Sequence, residues 1–143
     1  MVIMSVDFGD SRTGIAVCDK FEMLASPVEV IAEKDFNTCV KKVSDKAKEL
    51  KAELIVVGYP KNMNNTVGER AEKCIKFGEM VKEFTGTEVV MWDERSTTVS
   101  AHNYLNVTNT RGKKRKAVVD AVAATIILES YMGYRKNTKK DEE

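Results

Sequence analysis

The sequence has 143 residues, which is enough for one domain with a single hydrophobic core. Its 23 lysines and arginines nearly balance 22 aspartates and glutamates, and the formal net charge of +1 excludes a protein that binds nucleic acid through bulk charge alone. No apolar run reaches the roughly 18 residues of a membrane span, and an acid, Asp7, occurs before any basic stretch, so we expect neither a membrane anchor nor a signal peptide.

The first half of the chain predicts a hairpin, a third strand and a helix. Residues 2–8 and 13–18 are mostly apolar runs of strand length, and the Gly/Asp/Ser turn between them is typical of a β-hairpin. Residues 26–31 predict a third strand, in which Pro27 is tolerated near the start or on a sheet edge. Over residues 35–51, apolar side chains recur every three or four positions and indicate an amphipathic helix.

The second half alternates strands and helices. Residues 54–58 form a continuous apolar run, as expected of a strand that is covered on both faces. The other predicted elements are a loop over 59–68, a helix over 69–84, a strand over 88–92, a helix that begins at Ser96 or Thr97, a loop over 106–114 and a long helix over 115–134. The charged tail over 135–143 lacks apolar residues, and we expect it to be disordered.

This order of elements predicts one α/β domain over residues 1–134. Strands come first, and helix and strand then alternate. We therefore expect a mixed β-sheet with an antiparallel leading hairpin and later parallel strands, flanked by helices.

The cysteines predict a reducing environment. Cys18, Cys39 and Cys74 are odd in number and lack the pair spacing of metal sites, so a disulfide framework is not expected. Free thiols of this kind are typical of the cytoplasm, where we expect the protein to be located.

Acidic residues occur at the ends of two predicted strands and inside the most apolar helix. Asp7 ends the first strand, Asp93 and Glu94 follow the strand over 88–92, and Asp120 lies among valines and alanines. Taken singly, these acids have ordinary explanations: a structural strand end, a residue that precedes a helix cap, and a helix acid that pairs weakly with Lys116. Their coincidence is harder to explain without a ligand, since a buried, unpaired carboxylate costs several kcal/mol.

The acids together predict a divalent-metal site. Carboxylates within a few ångströms of one another repel and raise each other's pKa unless a cation lies between them. Mg²⁺, or Mn²⁺ in its place, suits such a cluster because it binds carboxylate oxygens and keeps positions for water and phosphate. Two such ions can activate a water and stabilise the leaving oxygen of a phosphodiester.

Cationic side chains near these acids predict contacts with phosphate. Arg12 lies in the hairpin turn after Asp7 and can hold a phosphate bidentately, while Gly9 lets the backbone turn tightly beside the acid. Such cations are often solvated surface groups, but beside a metal site they can grip a nucleic-acid backbone. The other candidate contacts are Lys61, Arg70, Arg95, Lys113, Lys114, Arg115 and Lys116.

Five ordered motifs, spread from residue 2 to about residue 131, resemble those of the YqgF/RuvX family. The motifs are Asp7-x-Gly9-x-x-Arg12-x-Gly14-x-Ala16, Val57-Gly58-Tyr59-Pro60-x-Asn62-Met63, Gly68-x-Arg70-Ala71, Asp93-Glu94-Arg95-x-Thr97-Thr98 and Lys113-Lys114-Arg115-Lys116-x-Val118-x-Asp120-x-x-Ala123-Ala124. The family contains pre-16S rRNA nucleases and proteins similar to Holliday junction resolvases, with an RNase H-like fold. The resemblance implies this fold and a metal-dependent endonuclease that acts on structured nucleic acid and processes the 5′ end of pre-16S rRNA.

The resemblance also implies which acids are catalytic, namely Asp7, one of the pair Asp93 and Glu94, and Asp120. Strand alternation sends Asp93 and Glu94 to opposite faces, and we favour Glu94 because its longer side chain reaches past the strand end. After the second motif, Asn64 and Asn65 stand where the family often has Asp-Gly. A contact that the family makes through that acid or glycine is therefore not expected in this chain.

Alternative functions remain open at this point. The first alternative is a Holliday junction resolvase-like DNA nuclease. The second is a non-catalytic nucleic-acid-binding factor in ribosome assembly. A phosphotransferase of the actin type needs two such domains, and a protein kinase needs a nucleotide lobe before Asp7, so the chain length disfavours both. The expected partners are structured RNA, branched DNA and ribosomal precursor particles, bound by a monomer or a homodimer without a membrane.

Overall fold

The structure, a computed structural model, describes residues 1–59, 69–93 and 122–136. Its strands and helices are β1 (Ile3–Asp7), β2 (Arg12–Cys18), β3 (Ala25–Ala32), α1 (Phe36–Glu49), β4 (Leu54–Tyr59), α2 (Glu69–Thr85) and β5 (Glu88–Asp93). A further helix over residues 122–136 is called the final helix below. The helix predicted from Ser96 or Thr97 and the loop predicted over 106–114 lie outside the described residues.

One five-stranded sheet has the order β3-β2-β1-β4-β5. β1, β2 and β3 pair antiparallel, whereas β4 is parallel to both β1 and β5. The mixed sheet with an antiparallel leading hairpin is therefore confirmed. Pro27 lies on the edge strand β3, where the register shifts against Ile15 and Ala16, as the lack of a backbone donor requires.

Strand alternation gives the sheet two apolar faces, each covered by helices. Met4 and Val6 on β1, and Phe8 directly after it, belong to a core that is completed by α1 and α2. Ile3 belongs to the opposite core, which includes the final helix. Both faces of the central strands are thus buried, which explains the continuous apolar run in β4.

The final helix runs antiparallel to β1. Near its start, the carbonyl oxygen of Ala124 accepts a hydrogen bond from Ser5 Oγ in the middle of β1. Near its end, Arg135 pairs with Glu22, which also pairs with the ammonium group of Met1 before β1. None of the helices in the described ranges has the length and apolar character that a membrane span needs.

An ion pair anchors the end of the final helix. The described part of this helix ends at residue 136. Arg135 is held by its ion pair with Glu22, at 2.7 Å, which the sequence pattern does not reveal because the two residues are 113 positions apart. Residues 137–143 lie outside the described residues.

Candidate active site

The carboxyl ends of β1, β4 and β5 meet at one edge of the sheet, called the carboxyl edge below. Asp7 is the last residue of β1 and is half-buried. Its register partners are Gly14 on β2 and Gly58 on β4. Because directly opposed residues share a face of the sheet, the two positions beside the Asp7 carboxylate carry no side chain. This arrangement leaves room for a ligand of the carboxylate.

The backbone of Asp93 lies at the same edge. Asp93 ends β5 and is in register with Tyr59, the last residue of β4. β4 alone separates β5 from β1, so the backbones of Asp7 and Asp93 are roughly 10 Å apart, which is two inter-strand spacings.

The turn after Asp7 is tight because of Gly9. A Cβ on Gly9 would overlap the backbone carbonyl oxygen of Arg12. The Gly9 N–H donates to Thr13 Oγ1 at 3.4 Å, which closes the turn. Arg12 opens β2 on the other side of the turn, so the predicted phosphate contact and the predicted metal ligand are joined by one compact segment.

An ion pair ties this turn to α2. Lys73 Nζ lies 3.0 Å from Asp10 Oδ1 and 5.8 Å from the centre of the Phe8 ring. The Phe8 ring stacks on Phe77 of α2 at 4.5 Å between ring centres. The sequence analysis did not single out Lys73, although its spacing of three residues from Arg70 is the signal that could have found it, since residues three apart share a helix face.

Ser5 connects the site to the final helix. Its side chain is fully buried, and Ser5 Oγ donates to the Ala124 carbonyl oxygen at 2.6 Å. Ser5 lies two residues before Asp7, and in a strand this spacing puts both residues on the same face. The start of the final helix therefore lies on the Asp7 face of the sheet. The signal for Ser5 was a lone polar residue within an apolar strand.

The three cysteines are buried in the two cores. All three are buried free thiols, which confirms the predicted absence of a disulfide framework among them. Burial raises the pKa of the Cys39 thiol, and the hydrogen bond between Cys39 Sγ and Thr13 Oγ1 only partly opposes this effect. Burial likewise raises the pKa of Cys18. A thiol with a raised pKa is protonated at neutral pH and unreactive.

Several predicted site residues lie outside the part of the chain that the structure describes. These are Glu94, Asp120, Lys61, Arg95, Lys113, Lys114, Arg115 and Lys116. Arg70 is the second residue of α2. Within residues 1–59, 69–93 and 122–136, no three His, Cys, Asp or Glu residues are grouped so as to hold a metal ion. Glu94 and Asp120, two of the predicted metal ligands, lie outside these ranges.

Comparison with protein families gives a match over most of the chain. The model of a family described as "RuvX: Holliday junction resolvase" matches residues 1–134. A relative from Agathobacter rectalis is 42% identical over 142 residues, covering 97% of this chain and 99% of its own. A relative from Caldanaerobacter subterraneus is 42% identical over 140 residues, covering 96% of this chain and 100% of its own. Both relatives bear the name "Putative pre-16S rRNA nuclease".

Solved structures share the fold at low sequence identity. RuvC from Thermus thermophilus, in complex with a Holliday junction substrate, has a TM-score of 0.61 at 14% identity over 93% of this chain and 96% of that chain. The fowlpox virus Holliday junction resolvase has a TM-score of 0.60 at 14% identity over 94% of this chain and 99% of that chain. The RNase H-like fold expected from the motifs is confirmed by these similarities.

Proposed function

The chain belongs to the RuvX family, and we propose that it is a divalent-metal-dependent nuclease that processes the 5′ end of pre-16S rRNA. Family membership and near full-length relatives named as nucleases support hydrolysis of phosphodiester bonds. The observation that carries the proposal is the position of Asp7 at the carboxyl edge, with Gly14 and Gly58 beside it and Asp93 two strands away. We also propose a cytoplasmic location and ribosomal precursor particles as the physiological substrate.

The strand register supports Glu94 over Asp93 as a partner of Asp7. Asp7, Gly58 and Trp92 are in register across three strands. Trp92 packs against the core that also contains Ile3, and therefore belongs to the Asp7 face. Because successive side chains of a strand point to opposite faces, this alternation favours the Asp7 face for position 94 and the opposite face for position 93. Glu94 is accordingly our candidate for the second catalytic acid.

The hydrogen bond between Ser5 and Ala124 supports Asp120 as the third acid. Asp120 precedes Ala124 by four residues, which span at most about 14 Å in any conformation and about 6 Å in a helix. Asp7 follows Ser5 by two residues, or about 7 Å of strand. Because the final helix runs antiparallel to β1, moving back along it leads toward the carboxyl edge. This geometry supports our proposal that Asp120 is a partner of Asp7.

The donor set fits a hard divalent cation, because carboxylate oxygens are the ligands that Mg²⁺ and Mn²⁺ prefer. Asp7, Glu94 and Asp120, with Asp93 as a further candidate ligand, would hold the cation, which would supply Lewis-acid activation of a water and neutralise charge on the phosphate. The protein's own part would be to hold these carboxylates in fixed positions relative to one another. Rigid placement of this kind contributes by orienting the reacting groups.

The cationic residues are proposed to position the substrate. Arg12 is fixed by the Gly9 turn next to Asp7, and Arg70 lies in the first turn of α2, where a helix N-terminus favours phosphate. The remaining proposed contacts are Lys61, Arg95, Lys113, Lys114, Arg115 and Lys116. Contacts with phosphates hold a nucleic acid in register without reading its sequence.

Two alternatives follow from the comparisons. A junction-cutting DNA nuclease is favoured by the description of the matching family and by the Holliday junction in the similar RuvC structure. A non-catalytic ribosome assembly factor would share the fold and the cationic surface but would not need the acids. Phosphate contacts alone do not separate RNA from DNA, because they do not test the 2′-hydroxyl group.

A nuclease assay with matched substrates separates these functions. Precursor 16S rRNA with an extended 5′ end and a four-way DNA junction are incubated with Mg²⁺ or Mn²⁺, and cleavage and binding are measured together. We expect cleavage of the rRNA, lost in Asp7→Asn and Asp120→Asn while binding persists. Cleavage of the junction alone would support the resolvase, and binding without cleavage by the unmodified protein would support the assembly factor.

A further inference from the structure

The turn between β2 and β3 presents three large apolar side chains to solvent. Phe21 is 70% exposed, Met23 is 81% exposed and Leu24 is 67% exposed. Single exposed apolar residues are ordinary, but a contiguous group of them is typical of an interaction surface. We call these three side chains the apolar turn.

The backbone of the apolar turn is held in one conformation. Asp19 Oδ1 accepts hydrogen bonds from the N–H groups of Met23 and Leu24 at 2.7 and 3.0 Å. Glu22, which lies between Asp19 and Met23, has a positive φ of 56°. Its carboxylate accepts a hydrogen bond from Arg135 Nε at 2.7 Å. Because the turn is already ordered, a partner that docks on it pays little additional conformational entropy.

The apolar turn and the end of the final helix form one continuous surface. A groove of about 290 Å³ lies between them. It is lined by Phe21, Glu22, Met23, Met132, Arg135 and Lys136. The groove is large enough for an apolar side chain of another molecule.

Gly133 is exposed on the final helix and directly follows Met132, which lines this groove. A Cβ at Gly133 would meet no atom within 4 Å among the described residues. Glycine inside a helix destabilises it by about 1 kcal/mol relative to alanine, and no neighbour in the described part of the chain requires the smaller residue. Close approach of a backbone from another molecule would require it.

We infer that this surface is the interface of a homodimer, in which the two final helices are antiparallel and cross at Gly133. Glu129 lies four residues before Gly133, Lys136 lies three residues after it, and both are exposed. A two-fold axis between Met132 and Gly133 brings each Glu129 opposite the Lys136 of the second copy. The surface is thereby complementary to itself in charge, which specifically favours a second copy of this chain as the occupant.

The size of a dimer interface requires both parts of this surface. A stable dimer buries roughly 800 Å² per subunit, which is more than the three side chains of the apolar turn supply, so the final helix has to contribute. The final helix begins near the carboxyl edge, and antiparallel helices therefore place the two Asp7 residues at opposite ends of the dimer. Such a dimer makes two independent cuts and not a pair of cuts in one junction.

Sedimentation velocity of the full chain, without nucleic acid, tests this interface from low to high micromolar concentration. We expect a dimer whose dissociation constant rises about tenfold or more in Met23→Glu, because a buried charge replaces an apolar contact. Phe84→Glu is the matched control, since Phe84 is 55% exposed at the end of α2, away from the interface. We expect the dimer of this variant to have the dissociation constant of the unmodified protein. Circular dichroism confirms that both variants are folded.

Charge reversal tests the two-fold arrangement itself. Glu129→Lys and Lys136→Glu should each weaken the dimer, and the double variant should restore it, because the pairs reform with opposite signs. Gly133→Ala should weaken the dimer while it raises the melting temperature of the monomer at low concentration. A monomeric wild-type protein at all concentrations, or a double variant that is weaker than both single variants, would overturn the inference whatever the nuclease assay shows.

Discussion

Ser5 and Ala124 are 119 positions apart in the sequence, and a hydrogen bond of 2.6 Å joins the hydroxyl of one to the backbone carbonyl of the other. The bond is fully buried and links the middle of β1 to the start of the described part of the final helix. It sets the height of the helix along the strand that ends in Asp7. This contact supports the proposal that Asp120 is a partner of Asp7.

Ser5→Ala is expected to destabilise the protein by about 1–2 kcal/mol, because a buried carbonyl loses its hydrogen bond from the side chain. The measurement is the free energy of unfolding in urea. Ser44→Ala is the control: Ser44 Oγ is buried and has no hydrogen-bond partner within the described part of the chain, so its removal should change stability little. Equal effects of the two substitutions would show that the Ser5 hydrogen bond does not stabilise the fold.

Gly9→Ala is expected to reduce both stability and nuclease activity. The new Cβ overlaps the carbonyl oxygen of Arg12, which is backbone and cannot rotate away, so the turn after Asp7 has to open. We expect a loss of about 1–3 kcal/mol in the free energy of unfolding and a larger fractional loss of cleavage rate than of binding. Gly133→Ala, where a Cβ meets nothing within 4 Å, should instead leave the fold intact or more stable.

Glu94→Gln and Asp93→Asn distinguish the two acids at the end of β5. We expect Glu94→Gln to lower the cleavage rate at least about a hundredfold, or about 2.7 kcal/mol of transition-state stabilisation, and Asp93→Asn to lower it much less. The measurement is single-turnover cleavage of precursor rRNA over a range of Mg²⁺ concentrations. A larger loss in Asp93→Asn would place the metal ligand at the strand end itself and would contradict the alternation of the strand.

The ion pair of Glu22 and Arg135 predicts a pH dependence of stability. The hydrogen bond from Arg135 holds the pKa of the Glu22 carboxyl below its ordinary value of 4.5. A lowered pKa in the folded state means that the stabilisation is fully present above pH 4.5 and is lost as the pH falls through the lowered value. Glu22→Gln should therefore cost about 1 kcal/mol at pH 7 and progressively less below pH 4.5.

The control for this pH dependence is Glu49→Gln. Glu49 pairs with Lys46 at 2.9 Å, but its side chain is 68% exposed, so solvent screens the pair. Its removal should change the free energy of unfolding little at any pH. If Glu22→Gln were equally neutral at pH 7, the contact between the apolar turn and the final helix would not contribute to stability.

The sequence alone determined the strands, the helices and the α/β class, because these depend on local periodicity. The alternation in β1, the continuous apolar run in β4 and the period of three to four residues in α1 are all short-range patterns. The glycine beside Asp7 was also predictable, since a tight turn directly after a strand needs a residue without a Cβ. The five motifs were sufficient to indicate the family that the comparison confirmed.

The tertiary structure decided what depends on residues far apart in the chain. Only the sheet order shows that Gly14 and Gly58 lie on either side of Asp7. Only the structure shows that Arg135 pairs with Glu22, because a contact across 113 positions leaves no periodic trace in the sequence. Local patterns indicate which face of a strand or helix is buried. Only tertiary packing determines which distant residue is contacted on that face.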